Sequence, residues 1–216
     1  VQTGVGAFVA IWNAALLIGA LIIITIPTRT VTIMELLAPF SLGGALIGLA
    51  MLAGSAFDLA LGTKSTAARA LGMPLVEEVL KIAPVLWILW RQRRKRAWTF
   101  GATDVLLLAA LSGAGFYWVE EAFIIHNHHS WSFVGKFPTT EIISDGHGSH
   151  LIVNHAIWTA IAGLTIGIAV LLRGPRLQIL LIAASGWLWS VLDHGANNYG
   201  ANFRHALGSV LRVVTA

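Results

Sequence analysis

The chain contains no cysteine, which excludes a disulfide framework, a thiol nucleophile and any cysteine-based metal site. Charge is also scarce: 11% of the 216 residues are Asp, Glu, Lys or Arg, where soluble proteins carry about 25%. With 56% hydrophobic residues and a mean hydropathy of +0.77, the composition describes a polytopic membrane protein. No long polar linker divides it. At about 20 residues per span, residues 1–216 hold one all-α bundle of about six spans with short loops, as a single domain. The excess of 14 Lys+Arg over 10 Asp+Glu and the pI of about 10.0 would suggest nucleic acid in a soluble chain. Here the positive charge falls between spans and reads as topology, so the expected surroundings are a lipid bilayer and no nucleic acid. The opening Val1-Gln2-Thr3-Gly4 lacks a basic n-region, and the spans are expected to act as their own insertion signals.

The apolar runs cover about Val5–Ile26, Ile33–Phe57, Leu71–Trp90, Val105–Ile125, His150–Leu172 and Leu177–Leu192. The second carries Gly44-x-x-x-Gly48 and the fifth Gly163-x-x-x-Gly167, small-residue patterns that let helices approach closely. Pro84 in the third predicts a kink one turn after the charged stretch Glu77-Glu78-x-x-Lys81. The tail Phe203–Ala216 has Leu207, Val210, Leu211 and Val214 at helical spacing, and suits either an interfacial helix or a truncated seventh span.

Acidic or basic groups inside a span cost about 2.5–3.5 kcal/mol each at the helix centre, so they mark a polar interior. At 100° per residue Lys81 stands about 40° from Glu77 and about 60° from Glu78 on the other side, between the two carboxylates and one turn on. The loop Arg91-Gln92-Arg93-Arg94-Lys95-Arg96 is assigned to the cytoplasmic face by the positive-inside rule. Eight basic residues then lie on that side, against Lys64, Arg69, Lys136, Arg204 and Arg212 opposite. In this orientation Glu77 and Glu78 lie about 10 Å below the outer start of the third span. Glu120 lies five residues before the outer end of the fourth, His155 five residues inside the fifth, and His194 at the outer end of the sixth. Four helices thus place their polar groups in one layer of the outer leaflet.

That layer suits hydrolysis. Glu77 or Glu78 with Glu120 supplies a general base beside a general acid, and a water between them could attack a peptide carbonyl. His194 and Asn198, one turn apart if the helix continues through Gly195, could donate to the oxyanion, with His155 orienting the water or protonating the leaving amine. Glu77 or Glu78, Glu120, His155 and His194 also make an acceptable zinc set with one position left for water, although no His-Glu-x-x-His helix is present.

The ordered set Glu77-Glu78-x-x-Lys81, Phe116-x-x-x-Glu120, His155-Ala156-Ile157-Trp158 and His194-Gly195-x-x-Asn198 resembles the PrsW intramembrane proteases, relatives of the CAAX-processing and bacteriocin-processing membrane proteases. It spans the four-motif core, residues 71–198. The resemblance implies an endopeptidase that cleaves single-pass membrane proteins, such as anti-sigma factors, near the extracytoplasmic face of a bacterial cytoplasmic membrane. By motif position, Glu77 activates water with Glu120, Glu78 and Lys81 support them, Phe116 flanks the site, His194 and Asn198 form the oxyanion site, and His155 stands alongside. The glutamate-type mechanism needs no cofactor and is the one favoured; a zinc version would use Glu77, Glu78, Glu120, His155 and His194. Two residues depart from the pattern: Thr159 where a small residue is expected, and Glu121 where asparagine is usual.

Other groups read more blandly. His126, His128 and His129, with Asp145, His147 and His150, fit a solvated extracytoplasmic loop over residues 126–149 better than a zinc lid. Asp193 reads as an orienting or surface carboxylate, Asp104 as a helix cap, and the tryptophans near span ends as an interfacial belt. A proton-coupled transporter would also bury carboxylates, lysine and histidine, but it predicts polar groups along a whole path, and the cytoplasmic halves of these spans are apolar. A non-catalytic membrane scaffold would tolerate loss of Glu77 or Glu120.

Overall fold

The computed structural model describes residues 12, 15–16, 18–61, 72–94, 100–120, 136–137, 140–145, 148–153 and 155–199; of residues 61, 136–153 and 197–199 it describes the backbone alone. In chain order these form α1 (described over 18–25), α2 (Ile33–Leu61), α3 (Met73–Arg94), α4 (Ala102–Val119), β1 (Lys136–Phe137), β2 (Thr140–Asp145), β3 (Gly148–Val153), α5 (His155–Leu171) and α6 (Arg176–Tyr199). The tail from Phe203 lies outside the described residues.

α4 is the centre of the bundle. Its sequence offers no polar face between Val105 and Gly115, and a helix apolar all round must be buried. Val105, Leu107, Leu108, Ala109, Ser112 and Phe116 are accordingly buried, with α2 on one side and α5 on the other. The outer surface is apolar instead: Leu59 is 87% exposed and Ile24 74%, while Lys81 is 0% and Glu78 1% exposed. Oil outside and charge inside is the distribution a bilayer imposes.

Local signals explain the helix ends. α2 begins with a reciprocal cap, in which Thr32 N donates to Glu35 Oε2 at 2.8 Å and Glu35 N to Thr32 Oγ1 at 3.3 Å. The cap assigned to Asp104 does more than end its own helix. Its buried carboxylate accepts from Gly101 N at 2.8 Å and also from Thr30 N, Thr30 Oγ1 and Val31 N at 2.6, 2.8 and 3.1 Å. One side chain therefore ties the α1–α2 connection to the start of α4. In α3, Pro84 removes an N–H without ending the helix, which continues to Arg94.

Of three expectations, one is met in part and two need correction. First, among the described residues three helices are long and apolar enough to cross a membrane, Ile33–Ala60, Ala102–Val119 and Arg176–Ala196, out of six expected spans, the first of which lies partly outside the described residues. α3 has the length, at 22 residues, but its charged groups interrupt the apolar run, and α5 has only 17 residues. Second, residues 148–153 are not the start of a helix. Gly148–Val153 pairs antiparallel with Thr140–Asp145, and β1 adds a third strand in the order β1-β2-β3. Ile142, Ile143, Ile152 and Val153 favour a pleated strand, whereas the apolar run from His150 predicts helix through Ile152 and Val153. His155 is thus the first residue of α5, not five residues inside it. Third, α6 continues through Gly195 to Tyr199, so His194 lies within the helix and not at its end.

Close approach agrees with Gly163-x-x-x-Gly167, where a Cβ on Gly163 would stand 2.8 Å from Val105 O and one on Gly167 2.8 Å from Ala102 Cα, and only in part with Gly44-x-x-x-Gly48. A Cβ on Gly44 would meet Val119 Cγ2 at 2.9 Å, whereas one on Gly48 would meet nothing within 4 Å. At Gly113, outside both motifs, a Cβ would stand 2.6 Å from Thr159 Oγ1, 2.9 Å from Ala156 Cα and against the carbonyl of His155. α5 can lie on α4 here because Gly113 has no side chain, and Thr159 is accommodated for the same reason. We expect Gly113→Val to destabilise the bundle by about 1–3 kcal/mol through overpacking and Gly48→Ala to leave it unchanged. Thermal unfolding in detergent checks this, and equal midpoints for the two variants would contradict it.

Candidate active site

The spacing Glu77-Glu78-x-x-Lys81 puts the three groups on one side of α3, and all three are buried. Lys81 Nζ lies 2.7 Å from Glu78 Oε1 and 3.4 Å from Glu77 Oε2. It also contacts His155 Nδ1 from α5 and stands 4.6 Å from the centroid of the Phe116 ring on α4. Ser112 fixes the backbone at this point, its hydroxyl donating to the Lys81 carbonyl at 2.6 Å. A fully buried ammonium is tolerated only with such partners, because leaving one charge of a buried pair alone costs about 3–5 kcal/mol.

Three other helices complete the cluster. Glu120 closes the last turn of α4 and places Oε2 2.6 Å from His155 Nε2, with 18% of its side chain exposed, the most of the three carboxylates. α6 brings in His194, whose Nδ1 lies 3.0 Å from Glu78 Oε1 and Nε2 3.6 Å from Glu77 Oε2. The polar layer expected from the sequence is therefore one contact cluster, which unites Glu77, Glu78, Lys81, Phe116, Glu120, His155 and His194.

The hydrogen bonds fix how each ring presents itself. An ionised carboxylate can only accept, so His155 donates Nε2–H to Glu120 and His194 donates Nδ1–H to Glu78. In the neutral rings this leaves the lone pairs of His155 Nδ1 and His194 Nε2 turned toward Glu77 and Lys81. One ligand atom each from Glu77, His155 and His194 lies within 4.8 Å of the others. Ligands about 2.1 Å from a tetrahedral zinc stand about 3.4 Å apart, close to the 3.6 Å between His194 Nε2 and Glu77 Oε2. Glu78 and Glu120 hold the far nitrogens, the outer-shell arrangement that orients metal-bound histidines. Three carboxylates face a single ammonium, and Glu78 Oε2 is buried without a hydrogen-bond partner. The residues fit a divalent cation with a His2Glu ligand set.

Two residues matter more than their sequence suggested. Trp158 stacks on His194 with centroids 4.4 Å apart and planes 16° apart, and meets His155 edge-on at 5.2 Å. Its Nε1–H donates to Asp193 Oδ2 at 2.7 Å, and Ser190 Oγ donates to its carbonyl at 2.6 Å. Asp193 is thus an orienting group, as one of its two readings had it, acting on His194 through the indole. The i, i+3 spacing of His155 and Trp158 was the available signal; that Trp158 reaches α6 could not be read from it. Thr159, the first departure from the motif, donates to the His155 carbonyl at 2.8 Å.

Asn198 falls in the last turns of α6, four residues after His194, and its side chain lies outside the described residues. Glu121 and the cluster His126, His128 and His129 are also outside them, as are His147 and the side chains of Asp145 and His150. The structure therefore does not place these groups in the site.

Replacing Lys81 by methionine leaves Glu78 buried without its cation, and we expect a loss of about 3–5 kcal/mol. Replacing Lys81 and Glu78 together, by methionine and glutamine, should recover part of it. Unfolding of the purified variants measures both; a single Lys81→Met variant as stable as the parent would contradict the ion-cluster reading.

No curated protein and no solved structure matches this chain. The family model of the PrsW family intramembrane metalloprotease matches residues 3–216, essentially the whole chain. The four motifs, the apolar exterior and the buried Glu/His cluster agree with that match, and the chain belongs to the PrsW family of intramembrane proteases, a membrane-embedded peptidase.

Proposed function

We propose that this peptidase is a zinc-dependent endopeptidase, cutting single-pass membrane proteins of anti-sigma-factor type near the extracytoplasmic face of a bacterial cytoplasmic membrane. The observation that carries the metal reading is the convergence of Glu77, His155 and His194, each histidine spending its other nitrogen on a carboxylate. The family's description as metalloproteases supports it. The side of the membrane follows from the arginine-rich end of α3, which the positive-inside rule assigns to the cytoplasm. Glu77 and Glu78 stand near the other end of that helix.

A zinc ion held by Glu77, His155 and His194 would supply Lewis acidity, polarising the scissile carbonyl and acidifying a water. Glu120, the most exposed carboxylate of the cluster, takes the proton of the attacking water. It returns that proton to the leaving amine as the C–N bond breaks. His155 keeps Glu120 aligned through Nε2, while Glu78 orients His194 and neutralises Lys81. Lys81 and a dication compete for Glu77 and His155, so the ammonium is assigned to Glu78, its shorter carboxylate contact. Asn198, one turn beyond His194, is assigned the developing oxyanion. Phe116, 1% exposed, covers the ammonium and keeps water from it.

One observation favours a second reading. Lys81 already lies between Glu77, Glu78 and His155, which would let Glu77 activate water with Glu120 and make the lysine the resident cation. Cleavage of a panel of single-pass membrane substrates, with zinc content measured alongside, separates the two. The zinc reading expects about one zinc per chain, loss of cleavage in chelator and recovery with zinc. Glu120→Gln should keep the zinc and lose about 10²–10⁴-fold in rate, whereas His194→Ala should lose both. Full cleavage by metal-free protein would establish the glutamate-only reading instead.

A further inference from the structure

Away from the site, a groove of about 750 Å³ opens between α3, α5 and α6 at the arginine-rich end of the bundle. Leu89 and Ala169, 6% and 3% exposed, form its floor, and Trp90 and Leu180 stand at its sides. At its mouth lie Arg93 from the end of α3 and Arg173 from the turn before α6, both exposed. Fifteen residues separate Arg93 from Glu78, about 22 Å along the helix, so this groove is in the opposite half of the bundle from the cluster.

The arginines nearby are not equivalent. Arg91 lies over Trp87 at 5.7 Å and Arg94 over Trp90 at 4.1 Å, each committed to an aromatic face. Among the described residues Arg93 has no such ring and, like Arg173, no carboxylate partner. These two guanidinium groups stand over an apolar trough. Arginine matches phosphate with paired N–H donors, and basic pockets between membrane helices on the cytoplasmic side suit anionic headgroups. The groove's volume lies within the range of about 300–1,000 Å³ typical of small-ligand sites.

We propose that this groove is a binding site for an anionic phospholipid of the cytoplasmic leaflet, with its phosphate between Arg93 and Arg173 and an acyl chain along Leu89, Ala169 and Leu180. The site does not depend on the hydrolytic reading of the Glu/His cluster.

Lipid retention tests it. The full chain, purified in detergent with equimolar phosphatidylglycerol and phosphatidylcholine, is exchanged into lipid-free micelles and the retained lipid counted by mass spectrometry. We expect retention of about one phosphatidylglycerol in preference to phosphatidylcholine. Arg93→Gln with Arg173→Gln should reduce that preference by roughly tenfold to thirtyfold, from about 1 kcal/mol for each basic residue near the headgroups. Arg91→Gln with Arg94→Gln serves as the control and should keep most of it. Leu180→Trp, which fills the trough, should release the lipid while inorganic phosphate still protects Arg173 from guanidine-directed labelling. Equal retention of the two lipids by the parent protein would overturn the proposal, as would an Arg93/Arg173 double variant that keeps the preference. So would competition by inorganic phosphate alone with no acyl requirement, or crosslinking of a substrate helix into the trough.

Discussion

Lys81 has no exposed surface, and its ammonium touches Glu78, Glu77 and His155 at once. Such a charge can stay in a membrane interior only if its partners arrive from fixed positions. The partners are supplied by other helices: His155 begins α5, Glu120 ends α4, and His194 approaches from α6. If any of these helices moved, a buried carboxylate or the ammonium would lose its partner. The cluster therefore constrains the bundle as much as the bundle shapes the cluster.

The same requirement explains the packing around it. α4 has no polar face and fills the centre; its Gly113 lets α5 close onto it, so that Thr159 and the His155 carbonyl sit directly against α4. Trp158 then fills the space between the two imidazoles, and Asp193 holds the indole from α6. At the other end, Asp104 joins the α1–α2 connection to α4. Aromatic and hydrogen-bonded contacts thus fix ring orientations that charge alone would leave free, and catalysis depends on those orientations.

The legible part of the site was the part written in helical spacing. The 100° rule places Lys81 between Glu77 and Glu78, and the hydropathy pattern with the positive-inside orientation grouped Glu120, His155 and His194 with them, although it misplaced His155 and His194 along their own helices. What could not be read was rotation between helices. Nothing in the sequence states that His155 gives Nε2 to Glu120 and turns Nδ1 inward, or that Trp158 stacks on His194, because these depend on how α4, α5 and α6 face one another. The fold was less legible near residues 148–153, where Leu151-Ile152-Val153 is apolar enough to extend a span and yet pairs as a strand with Ile142, Glu141 and Thr140. Hydropathy cannot separate those outcomes over six residues. α3 has a span's length, and Glu77, Glu78 and Lys81, which lower its hydropathy, are buried inside the bundle.

The most direct test of the convergence of Glu77, His155 and His194 is X-ray absorption at the zinc edge of the purified, zinc-loaded protein. The expected signal is a shell of nitrogen and oxygen at about 2.0–2.2 Å with two imidazoles, falling to one imidazole in either His155→Ala or His194→Ala. A shell of water oxygens that neither substitution alters would show that the three helices carrying Glu77, His155 and His194 do not form one metal-binding site.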